Sequence, residues 1–277
     1  MKYHIEKNSV QETLVIPLYG RKLCTERFPN LFQDRKAVEL IDRLDYDFSD
    51  LEKQSKSAAH QFGALEVAMR ETDLMCDLKD YLDKHPKATL VNLGCGLDQT
   101  CENADNGQCR IVNIDLPDVI DARNELLPES ERVRNIACDL NDTAWFEEID
   151  DTNGVCFMAA GVFYYFKKAD IRKLFTSMEK RFFGGRLVFD SANERAVKIM
   201  LKTWVKEAGI TSIKDYFSVI DAKAELSYLT NTDISSRGYM LGYNDLKDPS
   251  VPGIFRLLAK IGDGFMKMQI VRLDFGG

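Results

Sequence analysis

The sequence has no long hydrophobic run. Its most apolar stretch, residues 154–166, is shorter than the roughly 20 residues that a helix needs to cross a bilayer. The opening residues, MKYHIEKNSVQET, are polar and lack the apolar centre of a secretory signal. We therefore expect a cytoplasmic protein with no membrane-spanning segment.

Positively charged residues are fewer than negatively charged ones. The chain has 37 lysines and arginines against 44 aspartates and glutamates, which gives a net charge of −7 at pH 7. No basic tract is longer than a pair such as Lys167-Lys168. A nucleic-acid-binding surface needs clustered positive charge, so we expect no nucleic acid partner. The oligomeric state is left open by the sequence.

Cysteines are present, but they do not form a recognisable framework. The chain has 7 of them, an odd number without any CxxC pair, which argues against disulfide pairing. Cys95, Cys101 and Cys109 lie close together in the sequence, but their spacing matches no zinc pattern. We therefore expect reduced thiols and no bound metal.

Residues 1–85 show mostly helical spacing. In DRKAVELIDRL (34–44) the apolar residues fall on one helical face behind Asp34, a residue type that caps helices. Residues 57–82 keep a similar spacing, and Pro86 then ends the pattern. We predict an N-terminal helical extension over residues 1–85.

After Pro86 the pattern changes to short apolar strands separated by helices. Alternation of this kind is typical of a doubly wound, mostly parallel sheet, in which ligands bind beyond the carboxyl ends of the strands. We therefore predict an α/β, Rossmann-like core over residues 86–277, with a lid or acceptor-binding segment at about 221–260. The seven strands are expected at 88–93, 110–114, 132–137, 154–160, 186–190, 216–220 and 265–275, and helices at 117–127, 168–183 and 192–208.

The first predicted strand runs into a glycine turn, LVNLGCGLDQT (90–100). Gly94 and Gly96, with Cys95 between them, let the backbone adopt positive φ and approach a ligand closely. A dinucleotide site needs a third glycine for a pyrophosphate, and this chain has Gln99 in that place. The turn therefore disfavours a pyrophosphate, although it still suits a nucleoside.

Acidic residues end the next two predicted strands. Asp115 is placed to accept hydrogen bonds from both ribose hydroxyls, and Asp139 to accept the exocyclic amine of adenine. Leu116 and Leu140 follow them and would form apolar walls for the base. Together with the glycine turn, these residues predict an adenosine site without a diphosphate, which indicates S-adenosylmethionine as cofactor and S-adenosylhomocysteine as product.

Six segments resemble the leucine carboxyl methyltransferase family in its broad sense, and in particular its TcmP-like branch of polyketide O-methyltransferases. The protein-phosphatase methyltransferases of the family are less similar. The matching segments are IPLYGRKLCTERFPNLFQDRKAVEL (16–40), LVNLGCGLD (90–98), NIDLPDVIDARNELLP (113–128), AAGVFYYF (159–166), GGRLVFD (184–190) and MLGYNDLK (240–247).

The resemblance implies a class I methyltransferase core with an N-terminal helical segment that closes over the cofactor. It also implies that Arg21 and Arg70 bind the methionyl carboxylate, a role that suits the charge-assisted donors of arginine. The chain departs from the family at GLDQT, where GLDT is common. It also has Ala160 where phosphatase methyltransferases have a glutamate, which leaves the cofactor's amino group to the backbone carbonyls of Gly94 or Ala159.

No catalytic base stands out in the sequence. His60 lies on a predicted helix, while Tyr164 and Tyr165 follow the fourth predicted strand, near the expected acceptor pocket. All three are weak candidates, because a surface or packing role explains His60 better and aromatic packing is the default explanation for the two tyrosines. Residues 228–243 are polar and poorly periodic, which fits a lid, an acceptor wall or a long surface connection.

The function that these observations favour is transfer of a methyl group from S-adenosylmethionine to an oxygen of a small molecule, polyketide-like or a carboxylate. Three alternatives remain at this point: carboxyl methylation of a protein C-terminus, an NAD-dependent oxidoreductase, and a cofactor-binding module without catalysis. The sequence does not identify the acceptor, nor whether its reacting group is a carboxylate, a phenol or a hydroxyl.

Overall fold

The computed structural model describes residues 2–6, 11–200, 216–240 and 246–276. Its N-terminal part is mostly helical, and two short strands there pair in parallel. These elements are β1 (Tyr3–His4), α1 (Glu12–Arg27), α2 (Arg35–Arg43), β2 (Leu44–Asp45), α3 (Ser49–Gln54) and α4 (Ala58–Lys84).

Two of these helices begin at side-chain caps. The Asp34 carboxylate accepts a hydrogen bond from Ala37 N at 2.8 Å, and the Ser57 hydroxyl accepts one from His60 N at 3.3 Å. Each cap satisfies an N–H group that the first turn of a helix leaves without a partner. The prediction of helices over 34–44 and 57–82 is confirmed.

Helices α1 and α4 pack closely through small residues. A β-carbon at Gly20 would lie 3.8 Å from Ala64 Cα, so the two backbones can approach each other there. Leu18 of α1 and Leu65 of α4 are fully buried. This packing carries Arg21 to the residues that follow the first strand of the main sheet, where it donates to Leu97 O at 2.9 Å.

The described strands of the C-terminal part form a seven-stranded sheet. Its order is β5-β4-β3-β6-β7-β9-β8, with parallel pairing from β5 to β7 and antiparallel pairing of β9 with both of its neighbours. The strands are β3 (Thr89–Leu93), β4 (Arg110–Asp115), β5 (Val133–Ala137), β6 (Val155–Ala159), β7 (Arg186–Ser191), β8 (Thr232–Gly238) and β9 (Gln269–Phe275).

Strand β3 is the point where the strand order reverses, because it pairs with β4 on one side and β6 on the other. A crevice opens at such a switch point, beyond the carboxyl ends of the strands. The predicted α/β, doubly wound, mostly parallel fold is thus the observed one. Helices on this part of the chain are α5 (Thr100–Asn103), α6 (Pro117–Leu126), α7 (Lys168–Arg181), α8 (Glu194–Met200), α9 (Ala222–Glu225) and α10 (Gly253–Gly264).

Aromatic side chains fill much of the core on one face of the sheet. Phe157 of β6 packs against Phe182 at 4.7 Å between ring centroids, and Phe189 of β7 packs against Phe163 at 5.3 Å. Such ring pairs stabilise the core beyond the contribution of the apolar area that they bury. These contacts pack β6 and β7 against the segments of chain that follow β6.

One predicted strand is wrong. Residues 216–220 make a single bridge, from Tyr216 to Lys167, and otherwise run as extended chain outside the sheet. Phe217 N and Val219 N donate to Phe166 O and Ala192 O instead of to a strand. Phe217 and Val219 are apolar because they are buried, although they lie outside the sheet.

The seventh strand is β8, which the sequence did not indicate. It lies at the edge of the sheet, and Ile234, at 7% exposure, is its one buried residue. An edge strand with solvent on its faces has no need of apolar alternation, so its polar sequence resembles a loop. Helix α10 was likewise not predicted, and β9 begins at Gln269 rather than at 265.

The predicted helix over 192–208 is observed as α8, and its continuation to Gly209 lies outside the described residues. In the described parts of the chain, no helix combines the length and the hydropathy that crossing a membrane requires. The cytoplasmic location and the boundary at Pro86 stay predictions.

Candidate active site

The glycine turn after β3 has the backbone that its sequence predicts. Gly94 and Gly96 adopt φ values of 64° and 48°, a region that favours glycine. The N–H groups of Gly94 and Cys95 both donate to Ile114 O, at 2.8 and 3.1 Å. A β-carbon at Gly94 would lie 2.6 Å from Val162 Cγ2, so the turn also needs glycine for space.

Asp115, the last residue of β4, ties this turn to the neighbouring strand. One carboxylate oxygen accepts from Gly96 N at 2.8 Å and the other from Leu116 N at 2.8 Å. Burial raises the pKa of Asp115, and these two N–H groups partly offset that effect. Because a carboxylate oxygen has two lone pairs, Asp115 keeps acceptor capacity for a ligand.

A cavity of about 810 Å³ opens above the turn, and we name it the turn cavity. Most of the predicted binding residues lie on its wall. Ala159 does not, and Ala160 and Gly161 line the cavity in its place. The predicted residues on the wall are Arg21, Arg70, Gly94, Cys95, Gly96, Asp115, Leu116, Asp139 and Leu140.

Arg21 is held by the chain's own acidic groups. It donates to Asp98 Oδ2 at 3.0 Å, and its Nε lies 3.0 Å from Asp34 Oδ2 and 3.9 Å from Glu71 Oε2. Its side chain is only 3% exposed. This setting suits a residue that braces the turn through Asp98, and it leaves little of the guanidinium for a ligand.

Arg70 is in a different position. Its Nη1 donates to Asp190 Oδ2 at 3.1 Å, while its buried Nε has no hydrogen-bond partner. Asp190, at the end of β7, also accepts from Gly161 N at 2.6 Å and from the Tyr164 hydroxyl at 3.0 Å. Arg70 is therefore oriented by Asp190 and keeps donor capacity toward the cavity.

A second cavity of about 420 Å³ adjoins the first, and we name it the apolar cavity because most of its wall is apolar. The two cavities share part of their walls, formed by Thr13, Pro17, Val67, Arg70, Ala160, Gly161 and Tyr165. Further residues of the apolar cavity come from α1, α4, α10 and the chain that follows β7.

All three weak catalytic candidates lie on the wall of the apolar cavity. The Tyr164 hydroxyl donates to Asp190, and burial raises the pKa of Tyr164 well above its usual value. Tyr165 is 41% exposed. His60 Nδ1 lies 2.8 Å from the Ser57 hydroxyl, at the exposed start of α4.

Sequence reasoning missed a carboxylate in this cavity. Glu66 lies on α4 one turn before Arg70, and its Oε1 accepts from the Tyr239 hydroxyl at 3.2 Å. Burial raises the pKa of Glu66 to about 7, although Arg70 and Tyr239 lower it. A glutamate on an amphipathic helix carries no sequence signal that separates it from a solvated one.

Other missed residues brace the turn. Arg123 of α6 is buried, and its Nη1 donates to Gly96 O and Asp98 O at 2.9 and 2.8 Å. Asp98 in turn accepts from Thr100 N at 2.9 Å. Within the described ranges, no group of three or more histidine, cysteine, aspartate or glutamate side chains is arranged to hold a metal ion.

The segment 228–243 contains the edge strand of the sheet and part of the wall of the apolar cavity. Its residues 232–238 form the edge strand β8, and Tyr239 and Met240 then enter the wall of the apolar cavity. Residues 241–245 lie outside the described chain. Tyr239 and Met240 thus line the apolar cavity, and the roles of an acceptor wall and of a lid both stay predictions.

This fold is found in other solved structures. A putative methyltransferase from Thermobifida fusca has a TM-score of 0.56 and 14% identity, covering 77% of this chain and 82% of that one. A DUF574 family protein from Streptomyces avermitilis has a TM-score of 0.55 and 14% identity, covering 83% and 92%. At these identities the comparison defines the class of fold alone.

Sequence comparison identifies the family. The family profile described as leucine carboxyl methyltransferase matches residues 15–179, so the chain belongs to the leucine carboxyl methyltransferase family. The chain is also 27% identical over 188 residues to the tetracenomycin polyketide synthesis O-methyltransferase TcmP of Streptomyces glaucescens, covering 68% of this chain and 67% of that protein. The protein is therefore an S-adenosylmethionine-dependent methyltransferase, which sets aside the oxidoreductase alternative.

Proposed function

We propose that this chain transfers a methyl group from S-adenosylmethionine to an oxygen atom of a small molecule. The observation that carries the proposal is the shared wall of the two cavities, at Arg70, Ala160, Gly161 and Tyr165. A cavity with polar groups suited to a nucleoside and an apolar cavity are thus direct neighbours. This is the arrangement that a transfer between two bound molecules requires.

The residues of the turn cavity fit the methyl donor. Asp115 has acceptor capacity for ribose hydroxyls, and Asp139 stands beside Leu116 and Leu140 where adenine would lie. Arg70 lines the cavity with one of its five N–H donors bonded to Asp190, so its guanidinium can also donate to a carboxylate. These donors and acceptors match the parts of S-adenosylmethionine one by one.

The cofactor's amino group also has a candidate acceptor in this chain. Oε2 of Glu71 is buried on the wall of the turn cavity and lacks a hydrogen-bond partner. Its carboxylate would take the role of the glutamate that phosphatase methyltransferases have at the position of Ala160. We assign the amino group to Glu71, with the backbone carbonyl of Gly94 as the alternative, because Ala159 does not line the cavity.

The donor, when bound, supplies an electrophilic methyl carbon on a positively charged sulfur. The chain's part is to hold the acceptor and to exclude water. Leu14, Pro17 and Leu18 of α1 line the turn cavity, so the helical extension covers the site. Asp190 holds Arg70 at the boundary between the two cavities by the bond described above.

A small acceptor is supported by the size and chemistry of the apolar cavity. A volume of about 420 Å³ lies within the range of small-molecule sites, roughly 300–1,000 Å³. The relative from Streptomyces glaucescens is named for polyketide synthesis, and an aromatic polyketide suits a wall with Phe62, Met240 and Met268. We therefore place the acceptor among aromatic small molecules.

Incubation of the purified chain with S-adenosylmethionine and a panel of phenols, naphthols, hydroxyanthraquinones and aromatic carboxylic acids tests the proposal. We expect S-adenosylhomocysteine to form together with an O-methylated product, identified by mass spectrometry. The Asp115→Ala variant is the control, and it should lose most of this turnover. Product from C-terminal peptides, without product from any small aromatic compound, would contradict the proposed acceptor class.

A further inference from the structure

We propose that Glu66 is a specificity-determining residue: it is neutral when the acceptor enters the apolar cavity, and its Oε2 donates a hydrogen bond to a carboxylate of the acceptor. The inference rests on the proposed function and deepens it. It assigns a role to the carboxyl group on α4 that the sequence does not show. It also makes the binding of the acceptor depend on a proton.

The position of Glu66 carries the first step of the argument. Glu66 lies on the wall of the apolar cavity, one helical turn from Arg70, which lines both cavities. Its Oε1 accepts from the Tyr239 hydroxyl at 3.2 Å, which is the one hydrogen bond of this side chain within the described residues. Oε2 is therefore left for a ligand, beside the boundary where the two bound molecules meet.

The Tyr239 hydroxyl determines which oxygen of a neutral Glu66 carries the proton. A protonated carboxyl group has one O–H donor and keeps acceptor capacity on its other oxygen. Burial raises the pKa of Tyr239 well above its usual value, so this hydroxyl keeps the proton that it donates to Oε1. The proton of a neutral Glu66 consequently lies on Oε2, where the ligand is expected.

Charge balance on the wall of the apolar cavity carries the next step. Asp190 is paired with Arg70 at 3.1 Å and also accepts from Gly161 N and from the Tyr164 hydroxyl, so these two charges largely cancel. An ionised Glu66 would leave the wall negative and would repel a carboxylate. A neutral Glu66 removes that charge and donates a hydrogen bond, which a carboxylate acceptor strengthens.

The groups around Glu66 keep it partly protonated near neutral pH. Burial and Asp190 raise its pKa, Arg70 and Tyr239 lower it, and the resulting value is about 7. A bound carboxylate would raise the pKa further, so binding near neutral pH takes up a proton. The other ionisable side chains on this wall are Tyr19 of α1, His60 of α4, and Tyr164 and Tyr165 after β6.

A carboxylate also needs less from the wall than a hydroxyl does. It is already ionised near pH 7, so it can be methylated without a base. The hydrogen bond from Oε2 holds one of its oxygens and leaves the other for the transfer. The ligand that fits this wall is an aromatic carboxylate, with its ring beside Phe62 and Met240 and its charge directed toward Glu66.

The binding experiment follows this proton. Protein loaded with S-adenosylhomocysteine is titrated with 2-naphthoate between pH 6.5 and pH 9, a range in which this ligand stays ionised. Because only the neutral form of Glu66 binds, wild-type affinity should fall about tenfold per pH unit above a midpoint near pH 7. The uncharged 2-naphthamide should bind with little dependence on pH.

Glu66→Gln is the informative variant, because its amide group donates at every pH. Its affinity for 2-naphthoate should vary by no more than about threefold over this range and should exceed that of wild type about tenfold or more at pH 9. Glu66→Met, of similar size but without a donor, should bind about tenfold more weakly than wild type at pH 6.5. Glu147→Gln, which changes an exposed glutamate outside both cavities, should follow wild type.

Three results would overturn the inference. They are a wild-type affinity for 2-naphthoate that does not fall with pH, failure of wild type to bind 2-naphthoate at pH 6.5, and the same fall with pH in Glu66→Gln as in wild type. Loss of the fall in His60→Gln, with Glu66→Gln unchanged from wild type, would assign the proton to His60 instead.

Binding of S-adenosylhomocysteine separates this inference from the proposed function. Glu66 does not line the turn cavity, so Glu66→Gln should bind S-adenosylhomocysteine within about threefold of wild type. If wild type does not bind S-adenosylhomocysteine, the proposed function fails. If it binds, and the results with 2-naphthoate contradict the expectation, only the role of Glu66 fails.

Discussion

The turn cavity and the apolar cavity are neighbours, but they are built from different parts of the chain. The turn cavity depends on backbone: positive-φ glycines after β3, and carboxylates at the ends of parallel strands. The apolar cavity depends on side chains that α1, α4, α10 and the chain after β8 bring together. The first is set by the topology of the sheet, and the second by the choice of individual side chains.

This difference determines which changes of sequence each cavity can accept. A change of side chain on α4 or α10 alters the apolar cavity without moving a strand, so acceptor specificity can change while the sheet is kept. The turn cavity has no such freedom, because Gly94 and Asp115 are joined to the sheet itself by hydrogen bonds. Variants should therefore separate into two groups, one that affects donor binding and one that affects acceptor use.

The largest effect on the turn cavity is expected from Gly94→Ala. The substitution forces a side chain into φ 64° and brings its β-carbon to 2.6 Å from Val162 Cγ2. Strain of this kind costs about 1–3 kcal/mol before the clash is counted. We expect S-adenosylhomocysteine affinity to fall at least about 100-fold by titration calorimetry, a loss of roughly 3 kcal/mol.

Gly107→Ala is the matched control for that substitution. Gly107 also has a positive φ, 81°, but nothing lies within 4 Å of the β-carbon position. Both variants should lose some stability because of the backbone, and only Gly94→Ala should lose the ligand. Equal loss of affinity in the two variants would mean that the turn does not bind the donor.

The apolar cavity should reveal itself through the pH dependence of stability. Glu66 has a folded pKa of about 7 against an ordinary 4.5, so the folded state binds its proton more tightly. The stability that this gives is complete below pH 4.5 and is lost as the pH rises through 7. Between pH 4 and pH 8 the unfolding free energy of Glu66→Gln should gain about 2–3 kcal/mol relative to wild type.

Urea unfolding at several pH values measures this difference. Glu147→Gln, at an exposed site, should follow wild type at every pH. A gap between Glu66→Gln and wild type that does not change with pH would show that Glu66 titrates normally. The apolar cavity would then not raise the pKa of Glu66.

Arg70 lies at the boundary, and its substitution tests which cavity it serves. Removing an arginine that pairs with the donor's carboxylate should cost about 2 kcal/mol, a roughly 30-fold loss of S-adenosylhomocysteine affinity. Arg134→Ala is the control, because Arg134 is 56% exposed in a surface ion pair with Glu148. Unchanged affinity in a folded Arg70→Ala protein would assign Arg70 to the apolar cavity alone.

The smallest effect is expected from Tyr239→Phe. The Tyr239 hydroxyl donates to Glu66 at 3.2 Å and so favours the ionised carboxylate. Removing one such bond, worth about 0.5–1.5 kcal/mol, should raise the pKa of Glu66 by up to about one unit, and with it the midpoint of the pH dependence of the unfolding free energy. Donor affinity should stay at the wild-type value, and a downward shift of the midpoint would contradict this account.

The turn cavity was largely predictable from the sequence for a physical reason. Positive φ favours glycine, and apolar runs show where strands end. The sequence therefore places Gly94, Gly96 and Asp115 together at the carboxyl ends of neighbouring strands. Arg21 shows the limit of that reasoning. Its charge suggests a ligand for a carboxylate, but only the fold brings Asp34, Glu71 and Asp98 around it.

The apolar cavity was much less predictable. Glu66 and Tyr239 are far apart in the chain, and nothing local marks either of them as part of a pair. The edge strand β8, which leads to Tyr239, has a polar sequence that resembles a loop, while the apolar residues 216–220 lie outside the sheet. Contacts of this kind depend on tertiary packing, which sequence periodicity does not report.

The measurement that tests the central claim most directly is titration calorimetry of the purified chain with S-adenosylhomocysteine, with NAD as a parallel ligand. The turn cavity has the acceptors for an adenosine and the guanidinium of Arg70 for a carboxylate, but Gln99 stands where a pyrophosphate site needs glycine. We predict micromolar binding of S-adenosylhomocysteine and no binding of NAD. Binding of NAD without S-adenosylhomocysteine, or binding of neither, would contradict the account.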